Sequence, residues 1–262
     1  MTLWVRVDVD GQTRFGTLAA DDRIRLYDGD MFGTCRPSGV TVEADKALLL
    51  PPCQPTKMLA LWNNFNALAT KLGNDRPMHP LYLLKANSSF LGPGGAIRRP
   101  ASYDGRVVFE GELGIVIGRR CSNATEAEAT RCIFGYTGVN DITAIDLVTS
   151  DKSFAQWCRA KSFDTFGVFG PAISDDLDVA AASVVTVLNG VERQNYSLGD
   201  MIFPPAEIVR RISADMTLMP GDIICCGTSI GAGTMKEPRN LIAVTIAGIG
   251  TLANRFDTET LI

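Results

Sequence analysis

The apolar runs of this chain are short, of strand length, and many of them alternate in period two. VRVDV, TRFGTLAA and RIRLYDG follow one another near the start, with Asp-Gly pairs at 10–11 and 28–29 placed to turn the chain. LYLLK, RVVFEGELGIVIG, GYTGVND and IICCGT read as further strands, and LIAVTIAGIGTLANRF as a closing hairpin. Helical signals are brief. SNATEAEATR carries the Thr125–Glu128 spacing of a capping box, and FPPAEIVRRIS opens on prolines with Ile208 and Ile212 one turn apart. Many strands with few short helices predict a mostly β, α+β fold and argue against a doubly wound parallel sheet.

At 262 residues the chain can hold one large domain with a small appendage. Residues 1–52 read as a small N-terminal β-rich domain. The proline-containing joint LPPCQPTK leads into a larger domain over 53–262. That domain opens with MLALW and then a polar stretch, NNFNALATKLGNDRPMHP, long enough for a short helix and a mobile loop of the kind that forms a lid.

Several partners are disfavoured at once. A formal net charge of −4 leaves no basic footprint for nucleic acid. No apolar run approaches the roughly 20 residues that a membrane span needs, and the first residues lack the apolar core of a signal peptide. Seven scattered cysteines without a CxxC pair read as thiols kept reduced, which places the chain in the cytoplasm. Cys225–Cys226 lies in an apolar strand and reads as core.

Within FEGELGIVIG, Glu110 and Glu112 stand two apart among Val, Ile, Leu and Phe. On one strand they would share a face, roughly 7 Å apart along the chain. Two carboxylates in apolar surroundings need a cation or a shared proton. Asp141, which ends GYTGVND, would complete a set of three hard oxygen ligands suited to Mg²⁺, Mn²⁺ or Ca²⁺. With a single histidine, His79, in the chain, zinc is disfavoured. The other reading of the pair is a solvated strand face, matched to Arg106 or to lysines. Spacing alone leaves both open.

The words around the pair carry more. FEGELGIVIG, FGYTGVND, KSFDTFGVFGP, DMIF, LMPGDIICCGT and AGIGTLAN occur in that order, and together they resemble the fumarylacetoacetate hydrolase superfamily over about residues 57–256. The resemblance implies a mixed β-sandwich or β-roll catalytic domain behind a small N-terminal domain, as a homodimer. It implies a divalent ion, Mg²⁺ or else Mn²⁺ or Ca²⁺, held by Glu110, Glu112 and Asp141. It gives Lys161 of KSFDTF a catalytic place and Thr228 the substrate carboxylate. Gly227 beside Thr228 lets backbone approach the substrate, and Lys85 at the end of LYLLK is a further expected substrate contact. Taken alone, Lys161 would read as a surface lysine after a helix.

The implied substrates are 2-oxo acids or β-diketo acids. A metal acting as a Lewis acid stabilises an enolate as a neighbouring C–C or C–H bond breaks, and a lysine there can neutralise oxyanion charge. The chain departs from the hydrolytic members at one point. Their lid carries a His and a Glu three residues apart, in the pattern NYxxHAxE; here NFNALATK puts Leu68 and Lys71 at those places. After Asp141, where several hydrolases carry Arg and Gln, stand Ile145 and Val148. The expected enzyme is therefore a decarboxylase or an enol–keto isomerase. The competing readings are a C–C hydrolase using His79 or another base, and a non-catalytic oxo-acid-binding protein.

Overall fold

The computed structural model describes residues 1–258. Strands dominate, in three sheets. The largest has twelve strands, and its N-terminal part is an antiparallel meander of Leu3–Val9, Gln12–Leu18, Arg23–Gly29 and Cys35–Glu43. The fourth of these was not legible in the alternation, because Pro37 and Gly39 interrupt it. It lies at the sheet's edge, where a proline costs no ladder bond. Leu3–Val9 also pairs with Gly167–Ser174 through Leu3↔Ser174 and Trp4↔Ile173, so the N-terminal strands extend the same sheet that runs through the rest of the chain.

Beyond Gly167–Ser174 that sheet continues through Ile133–Asp141, Gly111–Ile117, Ile223–Cys225, Met58–Trp62 and Leu81–Lys85. Every residue of Gly111–Ile117 is buried, which is why the run shows no apolar–polar alternation and is apolar apart from Glu112. A second sheet of five strands holds Val191–Ser197, Ser183–Leu188, Arg239–Ile246, Gly250–Asp257 and Ala96–Arg98. Leu113 and Ile115 of the first sheet pack in one core with Val184, Ile242, Val244 and Leu252 of the second. Met58, Ala60, Val116, Val139, Phe169 and Ile223 form a separate cluster, drawn from the large sheet. Cys225 and Cys226 are buried, and all seven cysteines are free.

One expectation is corrected here. RVVFEGELGIVIG is not one strand. It divides at Glu110: Val107–Phe109 pairs with Thr143–Ala144 and Gly233–Thr234 in a small third sheet, and Gly111–Ile117 enters the large one. The chain changes sheets between the two glutamates, so they are not neighbours on a regular strand face.

The helices are short, as the sequence predicts. Thr125 and Glu128 close both halves of a capping box on Glu126–Cys132. Pro205–Asp215 buries Ile208, Val209 and Ile212 and has proline in its first turn, where a missing N–H costs nothing. In the polar stretch, Asn66–Leu72 is helical and stops at Gly73, whose φ of +68° suits a left-handed cap. This expected lid is fastened to the segment 198–203. Asn64 accepts from the Phe203 N–H at 2.9 Å, Asp200 accepts from the Ala67 N–H at 2.9 Å, and Phe65 is buried edge-to-face against Tyr196. No helix among the described residues is long and apolar enough to cross a membrane.

Candidate active site

Three acidic side chains meet where the chain changes sheets. Glu110 sits at the break, Glu112 is the second residue of Gly111–Ile117, and Asp141 ends the neighbouring strand Ile133–Asp141. Register brings them together, with Gly111 opposite Asn140 and Glu112 opposite Val139. Two bonds tie the break to the end of that strand: the Asp141 N–H donates to the Glu110 carbonyl at 2.9 Å, and the Glu110 N–H to Asn140 Oδ1 at 3.1 Å. One oxygen from each carboxylate lies within 4.8 Å of the others. Glu110 is 8% exposed, Glu112 1% and Asp141 not at all.

Two buried lysines serve this cluster. Lys161, the last residue of the helix Trp157–Lys161, donates to Glu110 Oε2 and Asp141 Oδ2, each at 2.5 Å, and to Thr143 Oγ1 at 2.8 Å. Lys85, the last residue of Leu81–Lys85, donates to Asp141 Oδ1. The other reading of the glutamates, a solvated face served by Arg106, does not hold: Arg106 pairs with Asp146 instead.

Charge is unevenly shared. Burial would raise the Asp141 carboxyl, but Lys161 and Lys85 outweigh it and hold Asp141 below the ordinary range. Burial raises Glu110, with Lys161 opposing. Burial would lower the Lys161 ammonium, yet Asp141, Glu110 and Glu112 more than offset this and keep it charged. Glu112 stands apart. Among the described residues no cation pairs with it, and its carboxylate accepts the Gly227 N–H at 2.9 Å. Burial first, and then the negative Asp141, push its pKa well above the carboxylate range. With all three carboxylates ionised, two ammonium groups would leave one negative charge uncompensated, and without a cation that charge is met by the proton that Glu112 retains. That deficit, in an all-oxygen donor set, fits a hard divalent ion such as Mg²⁺ or Mn²⁺.

The remaining expected site residues fall into two groups. Gly227, with φ of +86°, faces its N–H to Glu112, and Thr228 follows it. The Thr228 hydroxyl is already engaged, donating to the Gly111 carbonyl at 2.9 Å and accepting from Gln194 Nε2 at 2.8 Å. Holding a substrate carboxylate through that proton requires it to leave Gly111. Leu68 packs against the main core, Lys71 is exposed, Ile145 begins a four-residue helix and Val148 is buried. His79 is exposed, with Nδ1 3.2 Å from Arg211 Nη1 on Pro205–Asp215.

Sequence reading missed Thr143, Gln194 and Tyr196, all buried beside the cluster. No spacing signals them, since Gln194 reaches Gly111 across 83 residues. His79→Ala is expected to leave steady-state turnover within about twofold, because its visible partner is a surface guanidinium. A loss above tenfold would make the imidazole part of the chemistry.

Comparison with known proteins gives matches over both parts of the chain. Residues 57–257 match a family model described as fumarylacetoacetate (FAA) hydrolase, C-terminal, and residues 3–52 match one described as Rv2993c-like, N-terminal. Protein Rv2993c of Mycobacterium tuberculosis is 41% identical, covering 85% of this chain and 83% of its own. The oxaloacetate tautomerase YisK of Bacillus subtilis is 35% identical, covering 78% and 71%. Among solved structures, a 2-hydroxyhepta-2,4-diene-1,7-dioate isomerase from Mycobacterium marinum superposes with a TM-score of 0.89 at 35% identity, covering 98% of each chain.

Proposed function

The chain belongs to the fumarylacetoacetate hydrolase family and is an enzyme, and from that premise we propose that it interconverts the enol and keto forms of a 2-oxo or β-diketo acid. The substrate is of the oxaloacetate or 2-hydroxy-dienoic diacid type. Mg²⁺ or Mn²⁺ at Glu110, Glu112 and Asp141 is part of the proposal, as are the cytoplasm and the homodimer that the resemblance implies. Similarity to proteins named oxaloacetate tautomerase and dienedioate isomerase supports this choice of reaction.

The observation that carries the reading is the pairing of a three-carboxylate, two-lysine cluster with Leu68 and Lys71, where an imidazole and a carboxylate would otherwise activate water. Isomerisation of an enol needs no nucleophilic water and breaks no C–C bond. It asks for a proton to pass between oxygen and carbon while negative charge on oxygen is held. When bound, the divalent ion supplies Lewis acidity to the substrate oxygens. Lys161 keeps its proton, so its role is a donor's and not a base's, and to reach the oxygen on which enolate charge develops it has to release one of its three contacts, Glu110, Asp141 or Thr143. Lys85 orients Asp141 from the side away from Lys161, because each lysine takes a different oxygen of that carboxylate. Burial of all five groups excludes bulk water, which strengthens these interactions. A divalent ion that displaces the Glu112 proton would give the three carboxylates and two ammonium groups one net positive charge, which a substrate carboxylate would balance.

The test is product analysis in H₂¹⁸O, with Mg²⁺, on oxaloacetate supplied as the enol and on an acylpyruvate. Accelerated loss of enol absorbance, with neither CO₂ release nor ¹⁸O in a new carboxylate, is the expected result. Heavy oxygen in a carboxylate from the acylpyruvate would make the enzyme a C–C hydrolase. Stoichiometric CO₂ would make it a decarboxylase.

A further inference from the structure

Resting on the metal-dependent site just proposed, we infer that Gln194, assisted by Tyr196, is a positioning residue that fixes the Glu110–Gly111–Glu112 backbone and thereby sets how the carboxylates converge. A regular strand would send Glu110 and Glu112 out along one face, spaced along the chain. The break at Glu110 removes that regularity, and something else must hold the peptide groups between them.

Side chains do so. The Gly111 N–H donates to Gln194 Oε1 at 2.9 Å. The Gly111 carbonyl accepts from Tyr196 Oη at 2.6 Å and from Thr228 Oγ1 at 2.9 Å. Gln194 closes the ring by donating its Nε2 to Thr228 Oγ1 at 2.8 Å. Both polar backbone groups of the residue between the two glutamates are thus satisfied by buried side chains, where an unmet partner would be costly.

Placement follows from the second sheet. Gln194 and Tyr196 lie two apart on Val191–Ser197 and share its inward face, so one strand carries both clamps across to the first sheet. Gly111 permits the close approach: a Cβ there would fall 2.0 Å from Thr186 Oγ1 and 3.2 Å from Gln194 Oε1. Tyr196 also packs edge-to-face on Phe65, with ring centroids 5.0 Å apart. The clamp therefore joins the carboxylate pair to the start of the helix Asn66–Leu72. Neither Gln194 nor Tyr196 hydrogen-bonds a carboxylate of the cluster, so each acts through the backbone of Gly111.

Groups that orient metal ligands typically change metal affinity by about 10–100-fold when lost. Mn²⁺ titration calorimetry on the full chain, with thermal unfolding in parallel, tests this. Gln194→Met keeps length and removes the side-chain hydrogen bonds to Gly111, Thr228 and Ser229, and is expected to weaken Mn²⁺ binding by about 10–100-fold. Tyr196→Phe removes one oxygen and is expected to weaken it in the same direction by less. Ile242→Val, a buried change in the same sheet, should lower the unfolding temperature and leave Mn²⁺ affinity unchanged. Glu112→Gln separates this inference from the one beneath it. If Glu112→Gln binds Mn²⁺ like the unaltered protein, the metal reading is wrong and the clamp falls with it. If Glu112→Gln loses Mn²⁺ while Gln194→Met does not, only the clamp is overturned. Should Gln194→Met fail to fold, unaltered affinity in Tyr196→Phe overturns the clamp, and weakened affinity supports it.

Discussion

Dialysis against EDTA is expected to abolish turnover, and Mg²⁺ or Mn²⁺ to restore it. The physical reason is that Glu112, which pairs with no cation among the described residues, holds a proton in the buried cluster that a divalent ion would displace to complete three anionic ligands. Each of Glu110→Gln, Glu112→Gln and Asp141→Asn removes one anionic donor of three. Each should weaken metal binding by more than the about 10–100-fold lost with an outer partner. Binding also stabilises the fold: at a metal concentration of 100 times Kd the gain is about 2.7 kcal/mol. The unfolding temperature should rise with added Mn²⁺ in the unaltered protein and stay level in Glu112→Gln. Full activity in chelator, or unaltered metal affinity in all three variants, would remove the site assignment.

Lys161→Met is expected to retain the metal and lose most turnover. Its ammonium lies on Glu110 Oε2 and Asp141 Oδ2, in carboxylates that are also candidate ligands, so removing it takes away a competitor for the ion. What is lost is the donor to the enolate oxygen, an effect of about 2.7–4 kcal/mol for comparable single donors, or roughly 10²–10³ in kcat. Stability separates the two roles. Without metal, the variant leaves buried Glu110 with no cation while Asp141 keeps Lys85, a change that costs about 3–5 kcal/mol for a broken buried pair. Added Mn²⁺ should recover a large part of that loss without recovering the rate. Turnover within twofold of the unaltered enzyme would reduce Lys161 to a structural counter-charge.

Decisions confined to a few neighbouring residues were legible before any fold was known. The alternation of VRVDV and RIRLYDG, the Thr125–Glu128 capping box and the prolines opening FPPAEIVRRIS each encode their own element. The ordered words from FEGELGIVIG to AGIGTLAN were enough to name the family. Where local signals failed, a distant partner was in control. Pro37 and Gly39 hid a strand that survives because it lies at a sheet edge. Glu110 sits inside an apolar run that looks like one strand, but Thr143–Ala144 and Gly233–Thr234 draw its first half into another sheet.

The site itself follows the same division. Residue types and order made Glu110, Glu112, Asp141 and Lys161 candidates. Tertiary structure alone decided that Lys161 meets Glu110 across 51 residues, and that Lys85 meets Asp141 across 56. It also decided that Thr228 gives its proton to Gly111 and that Gln194 completes the ring. The sequence determined which carboxylates and lysines are present. Sheet register decided which of them share buried space, and burial is what makes their charges matter.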